Sequence, residues 1–530
     1  MSKYDQQQPK YDERQQIFCL NRASNMAGYF QTGTIDTGTE EELQELVRKR
    51  LKKLLSKSKI KKLIGEWQVV WGPVVYQHNK ASNVADNCIY IAKYNGISDK
   101  DRYIIALSET NALSWYGWLV ANSYEDSIPW NNGRPWEKPK SSESKERIGE
   151  GSSKVLRILY EEMKYDNKLL LEYLKELMED YKKGEVLITI SGHSQGAVIS
   201  PLLGLSLMEQ PQREQWDPEK KADLRILATS FSTLGNKEFA EYYAKSELKN
   251  KTDPILNELD ILTNMWNKDE LEKNRTIYSS NIEDIEDNEL IELFVDLMKK
   301  KVDNEDYQRI SWEKEPFESE FEKDVDNVKD IFLSPNFTKF TSKMLARLIL
   351  HLLDIEEYEP KRLNLLASTI EFYLDTRNYL IYLYDEVLFG DYLLWWGLPM
   401  IFSWNLARFE GMKSVMEATY GSASSRLGRL ELAFLEAIFE QLQYSAKLPP
   451  DMAEKLKKFS KNLPELLDYL SQALYQHEIA FIKHFEVSEF FEILRKISEK
   501  EKSKCKKFCK AASEPCLVLY SVGYQWIIDN

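Results

Sequence analysis

Cysteine and histidine are scarce in this sequence, with five of each in 530 residues. The cysteines (Cys19, Cys88, Cys505, Cys509 and Cys516) are odd in number and widely scattered, which argues against a disulfide framework and for reduced thiols. The last three read C-x3-C-x6-C with no histidine within ten residues, so they are read as ordinary thiols rather than zinc ligands. No metal and no organic cofactor is expected. Long hydrophobic runs are also missing. The most apolar tract, Tyr392–Phe402, has eleven residues and is interrupted by Gly397 and Pro399, whereas a bilayer-spanning helix needs about twenty. The opening MSKYDQQQPKYDERQQ lacks the apolar stretch of a signal peptide. A cytoplasmic protein is therefore expected, with peripheral membrane attachment as the alternative. Excess positive charge is absent too: 71 Lys and Arg against 85 Asp and Glu give a net charge of −14. That argues against a nucleic-acid partner, which needs a basic field to neutralise phosphates.

The 43% hydrophobic and 12% aromatic content is ample for a large core. Residues 1–38 read as polar and turn-rich. Thr39 and Glu42 form a capping-box pattern, and leucines at helical spacing extend the predicted helix to about Leu63. Nine Lys or Arg crowd into Arg48–Lys62, the pattern of a solvated helix face or of a helix lying on an anionic membrane. From Trp67 onward, short apolar runs alternate with helical stretches: Gln68–Tyr76, Cys88–Lys93, Tyr103–Leu107, Val186–Ile190 and Arg225–Phe231, with helices over Ser153–Tyr181 and Ala197–Met208. This alternation predicts an α/β sheet buried on both faces. Asn122–Ser144 reads as a long loop of the kind that forms lids. The division expected is an N-terminal polar arm and basic helix (1–66), an α/β core (67–280), a mostly helical insertion or cap (281–465) and a return to the core with a C-terminal tail (466–530).

One segment carries chemistry. Gly192-His193-Ser194-Gln195-Gly196 is a G-x-S-x-G pentapeptide set between an apolar strand and a helix. Glycine at both flanks lets the chain turn sharply and present Ser194, while the helix N-terminus faces any developing oxyanion. A serine nucleophile needs a base, and the base needs an acid. In hydrolase sheets of this kind the order is Ser, then Asp or Glu, then His. His78 precedes the serine, His193 adjoins it, and His351 lies on an apolar helix face. His477 and His484 both satisfy the order, and order alone does not choose between them.

The segment around Ser194 resembles the nucleophile turn of class 3 (fungal-type) lipases. Trp71-Gly-Pro-Val-Val-Tyr, Ser82-Asn-Val-Ala-Asp-Asn, Tyr103-Ile-Ile-Ala-Leu-Ser-Glu-Thr-Asn, Ile148-Gly-Glu-Gly-Ser, Leu234-Gly-Asn, Asn257-Glu-Leu-Asp and Tyr475-Gln-His with Phe481 resemble further segments of that family in its order. The resemblance implies an α/β-hydrolase-type central sheet with a large, mostly helical cap. It implies a triad of Ser194, Asp260 and His477, with oxyanion donors at the Gln195 amide and at Thr110. Choosing Asp260 over Asp253 or Asp269 rests on the resemblance alone. The expected reaction is hydrolysis of carboxylic esters, notably lipid acyl esters, with Asn122–Ser144 and Tyr392–Phe402 as lid or acyl-chain surfaces. A membrane or lipid-droplet surface is an expected partner. Three positions depart from the family pattern: Glu109 replaces a small residue before the oxyanion threonine, and Leu234 and Thr263 replace prolines. A carboxylate at 109 would oppose an oxyanion unless it turned away. Two rival readings follow: a catalytically silent interaction protein on a lipase fold, and a membrane-binding protein acting through its basic helix.

Overall fold

The apolar runs of the first half pair into one six-stranded sheet. Its strands are β1 (Trp67–Tyr76), β2 (Asn87–Tyr94), β3 (Asp101–Leu107), β4 (Val186–His193), β5 (Ala222–Thr229) and β6 (Thr252–Ile255), lying side by side in chain order. The β1–β2 and β2–β3 pairs are antiparallel, and β3 through β6 are parallel. The carboxyl ends of β3 to β6 therefore open on one edge, where open α/β sheets place their ligand sites. The computed structural model describes residues 8–29, 34–78, 80, 83–109, 126–137, 145–282, 285, 288–303, 305–322 and 450–497.

Period-two alternation sends successive side chains to opposite faces. Ile89, Ile91, Tyr103, Ile105 and Leu107 meet the helices Glu150–Glu161, Leu170–Glu179 and Gln195–Met208 in one core. Cys88, Tyr90, Ala92, Ile104 and Ala106 enter a second core with α1 (Glu13–Arg22), α2 (Glu40–Leu55) and the end of the long helix α4 (Pro450–His484). The helix Gln195–Met208, called α3 below, is buried almost all round, which explains its unbroken apolar run.

Several sequence expectations need correction. Residues 1–38 are not simply a polar arm: α1 starts with a capping box between Asp12 and Gln15 and buries every residue from Gln16 to Arg22. The basic helix does not run to Leu63; it stops at Leu55 and restarts as Ser58–Ile64. The predicted helix over Ser153–Tyr181 is split by a tight turn at Tyr165–Lys168, where Asp166 and Asn167 take positive φ. Strand β6 is too short and polar to show an apolar run. Within Asn122–Ser144, the described residues form a short strand, Ser127–Pro129, paired with Arg147–Gly149. Thr110, His351, Tyr392–Phe402, the three late cysteines and most of 281–465 lie outside the described residues. Among the described residues no helix is long and apolar enough to cross a membrane.

Candidate active site

The turn after β4 is as sharp as its glycines suggest. Ser194 sits at φ 56° and ψ −122° as the N-cap of α3, a conformation costing a non-glycine residue about 1–3 kcal/mol. A Cβ on Gly192 would lie 1.9 Å from the Gly196 backbone, and one on Gly196 would lie 2.7 Å from the Ser108 carbonyl oxygen. No side chain fits at either place. Ser194 itself is half-buried, and its amide donates to the Thr229 carbonyl at 3.0 Å. Gln195 opens α3, so its amide has no carbonyl one turn back to bond. That is the state required of an oxyanion donor.

Asp260 and His477, 217 positions apart, meet in the interior. His477 Nδ1 donates to Asp260 Oδ2 at 3.0 Å, and both side chains are buried. The second carboxylate oxygen, Oδ1, accepts from the Leu262 amide at 3.0 Å. The other acid candidates lie elsewhere: Asp253 pairs at the surface with Arg14 and Lys314, and Asp269 sits exposed in the first turn of a short helix. His484 stacks on Phe317 with ring centroids 3.9 Å apart, and His78 is exposed. Asn257 explains part of the long-range placement. Its buried amide donates to the backbone and side-chain oxygens of Gln476, both at 2.9 Å, clamping α4 one residue before His477.

A fourth group joins the pair. Ser230, just after β5, donates from Oγ to Asp260 Oδ2 and accepts from His477 Nδ1 at 2.7 Å. Its φ is 55°. Sequence reasoning passed over this serine, since nothing local separates it from other hydroxyls near a strand end. Burial opposes protonation of His477, but Asp260, with Glu478 and Glu109, outweighs it and holds the histidine above its ordinary value. Among the described residues Ser194 Oγ has no hydrogen bond to His477. The ring of His193, the residue before the serine, lies 4.8 Å from the His477 ring.

Glu109 does not turn to solvent. It is buried, its amide donates to Asn25 Oδ1 at 2.9 Å, and its carboxylate accepts from Arg22 of α1. The other arm of the same guanidinium donates to Glu478, the residue after His477. Burial pushes the Glu109 carboxyl up to about 8, Arg22 pulling against this and Glu478 adding to it. His193 is fully buried and donates from Nδ1 to Thr229 Oγ1 at 2.9 Å; burial, with Arg22 and His477 nearby, keeps it neutral. His193, His477 and Glu478 present nitrogen and oxygen atoms within 4.8 Å of one another. A cation there would face the fixed charge of Arg22 and would take the base out of service.

Comparison with known proteins fits this geometry. A class 3 lipase family model matches residues 133–270, the stretch that holds the Ser194 turn and Asp260. Among solved structures, the chain is similar to M37 lipase at 23% identity, covering 62% of this chain and 90% of that one, with a TM-score of 0.48. It is also similar to a triacylglycerol lipase from Penicillium expansum, at 14% identity over 48% of this chain and 74% of that one, TM-score 0.26. A third structure, of a triacylglycerol lipase whose catalytic centre is a serine protease triad, matches at 17% identity over 37% of this chain and 59% of that one, TM-score 0.24. No curated protein matches. Residues 133–270 are thus similar to the class 3 lipase family, whose model matches them.

Proposed function

We propose that the protein cleaves carboxylic esters of lipids through an acyl-enzyme formed on Ser194. The observation that carries this reading is the buried hydrogen bond between Asp260 and His477 beside a strained serine turn. In the proposed cycle Ser194 Oγ attacks the ester carbonyl while His477 Nε2 takes its proton. Asp260 keeps the proton of His477 on Nδ1 and stabilises the imidazolium. The oxyanion forms at the amino end of α3, where the Gln195 amide would donate to it, a donor worth on the order of 3 kcal/mol. Thr110 is the proposed second donor. His477 then protonates the leaving alcohol, and water resolves the acyl-enzyme through the same base.

A silent lipase fold is the second reading, favoured by one observation: a carboxylate, Glu109, stands where the family has a small residue. Its pairing with Arg22 supports the active reading instead, because the charge is turned into the protein and compensated. The membrane-binding reading gains less. Glu40 at the start of α2 accepts from the Gln77 amide near the carboxyl end of β1, whereas Lys61 pairs with Glu66 at the start of that strand. The basic stretch thus runs away from the sheet edge that bears Ser194. Adhesion through it would not present the serine to lipid.

The test is labelling of purified protein with a fluorophosphonate probe, followed by a panel of esters of rising acyl length. Labelling that vanishes in both Ser194→Ala and His477→Ala supports the proposal. Folded wild type that never labels would sink it in favour of the silent fold.

A further inference from the structure

The mechanism leaves unused a buried ionic group that adjoins the site. Arg22 is 1% exposed, matching neighbouring core residues such as Phe18, and carries a full charge. It lies on α1, which packs under the carboxyl ends of β3 and β4. Three side chains of this region reach the site. Asn21 Nδ2 donates to the carbonyls of Leu107 and Ser191, at 2.8 and 2.9 Å, bridging the ends of those two strands. Asn25, one turn on, accepts the Glu109 amide. Arg22 between them spreads its fork over Glu109 and Glu478. A single guanidinium therefore joins the strand end leading to the proposed oxyanion turn with the helix bearing the proposed base.

Charge explains why an arginine is needed. From the surrounding elements, Glu109, Glu478, His193 and His477 face this spot, and Asp260 stands beyond the histidine. Without Arg22, Glu109 would hold its proton more firmly and Glu478 would lose its buried counter-charge beside His477. Glu478 would then take a proton or move, and its movement carries the adjacent His477 with it. A buried ion pair is not in itself a strong source of stability, since an apolar pair of similar volume does as well or better. Geometric placement is what it supplies here.

We propose that Arg22 is a positioning residue of the active site: its buried guanidinium fixes Glu478, and with it His477, against Glu109 at the end of β3. The inference rests on the triad reading above and extends the site to the N-terminal helix. A chain lacking α1 would then retain Ser194, Asp260 and His477 but not their alignment.

The experiment measures the second-order rate of fluorophosphonate labelling against pH, with thermal unfolding as a control, on the full chain. Variants are Arg22→Met, Arg22→Lys, Glu109→Gln and the neutral triple Arg22→Met/Glu109→Gln/Glu478→Gln. Glu109→Gln keeps an acceptor for one arm of the fork but no charge, so its acid limb is expected at or below the wild-type position. Arg22→Met is expected to label at least tenfold more slowly at neutral pH, with its acid limb moved to higher pH because unopposed carboxylates favour protonated His477. The neutral triple, which lacks both carboxylates that raise His477, should return the acid limb to its wild-type position or below. A folded Arg22→Met protein with unchanged rate and pH profile overturns the proposal, as does a triple variant whose limb stays displaced. If Arg22→Met does not fold, Arg22→Lys decides: one ammonium cannot replace the fork, so tenfold slower labelling is expected and an undiminished rate overturns the idea. Wild type that does not label at all is a different failure, that of the triad itself.

Discussion

Ser230 Oγ lies 2.7 Å from His477 Nδ1, nearer than the 3.0 Å separating that nitrogen from Asp260 Oδ2. The ring proton is thus shared between a hydroxyl and a carboxylate, and the hydroxyl gives its own proton to the same carboxylate. Both acceptors enforce the tautomer that leaves Nε2 free to act as a base. The cost is a non-glycine backbone at φ 55°, held by the Ser230 amide donating to the Ile255 carbonyl at 2.9 Å.

Removing that hydroxyl separates its two roles. Ser230→Ala keeps the strained backbone and loses the bond, whereas Ser230→Gly loses the bond and relaxes the backbone. Both variants should react about ten- to a hundredfold more slowly, as expected for a hydrogen bond to a charged group. The glycine variant should be the more stable by about 1 kcal/mol. Labelling rates and urea unfolding of the two proteins check this pair of expectations.

Asp260→Asn tests the electrostatics of the base. In wild type the raised His477 value means that activity is lost as pH falls through a point above the ordinary histidine range. Neutralising Asp260 removes the largest influence that raises it. The acid limb of kcat/KM should move to lower pH while the plateau drops by about 10⁴-fold, because an amide stabilises the wrong tautomer. A limb that stays in place would assign it to another group.

The two glycines of the turn predict unequal damage. Alanine at Gly192 would place Cβ 1.9 Å from the Gly196 backbone, so strand and helix must part. Alanine at Gly196 meets carbonyl oxygens of Leu107 and Ser108 at 2.8 and 2.7 Å. Both should destabilise the fold, Gly192→Ala the more, with labelling reduced by about 10²-fold or more as Ser194 is displaced. Thermal unfolding and probe labelling measured together would show whether the order holds.

Glu109 gives the protein a pH-dependent stability. Folding raises its carboxyl from 4.5 to about 8, so the folded state binds that proton more tightly than the unfolded chain. The contribution is whole below 4.5 and is lost as pH rises toward 8. Glu109→Gln, which stays uncharged, should therefore flatten the fall in Tm across that interval and leave the variant more stable than wild type at its upper end. Parallel melting curves at pH 4.5 and 8 suffice to check it.

What the sequence determined by itself is local. The spacing of apolar residues marked five of the six strands, and Thr39 and Glu42 marked the start of α2. Gly192 and Gly196 marked a turn that only glycine can make, because these signals act between neighbours within a few residues. Tertiary structure decided the rest. Which acid meets which histidine is one such matter: Asp260 and His477 share a buried hydrogen bond, whereas Asp253, Asp269 and His484 lie elsewhere. The apolar stripe of α1 is broken by Gln16, Asn21 and Arg22, polar residues that solvent would ordinarily claim. Gln16 donates back to the Tyr11 carbonyl, while Asn21 and Arg22 are buried because partners at the ends of β3 and β4 and in α4 satisfy them, those of Arg22 standing 87 and 456 positions away. Ser230 and Arg22 are ordinary residues in the sequence. Only the folded chain brings a hydroxyl to an imidazole and a guanidinium between two carboxylates, since such contacts depend on ångström distances that no local pattern encodes.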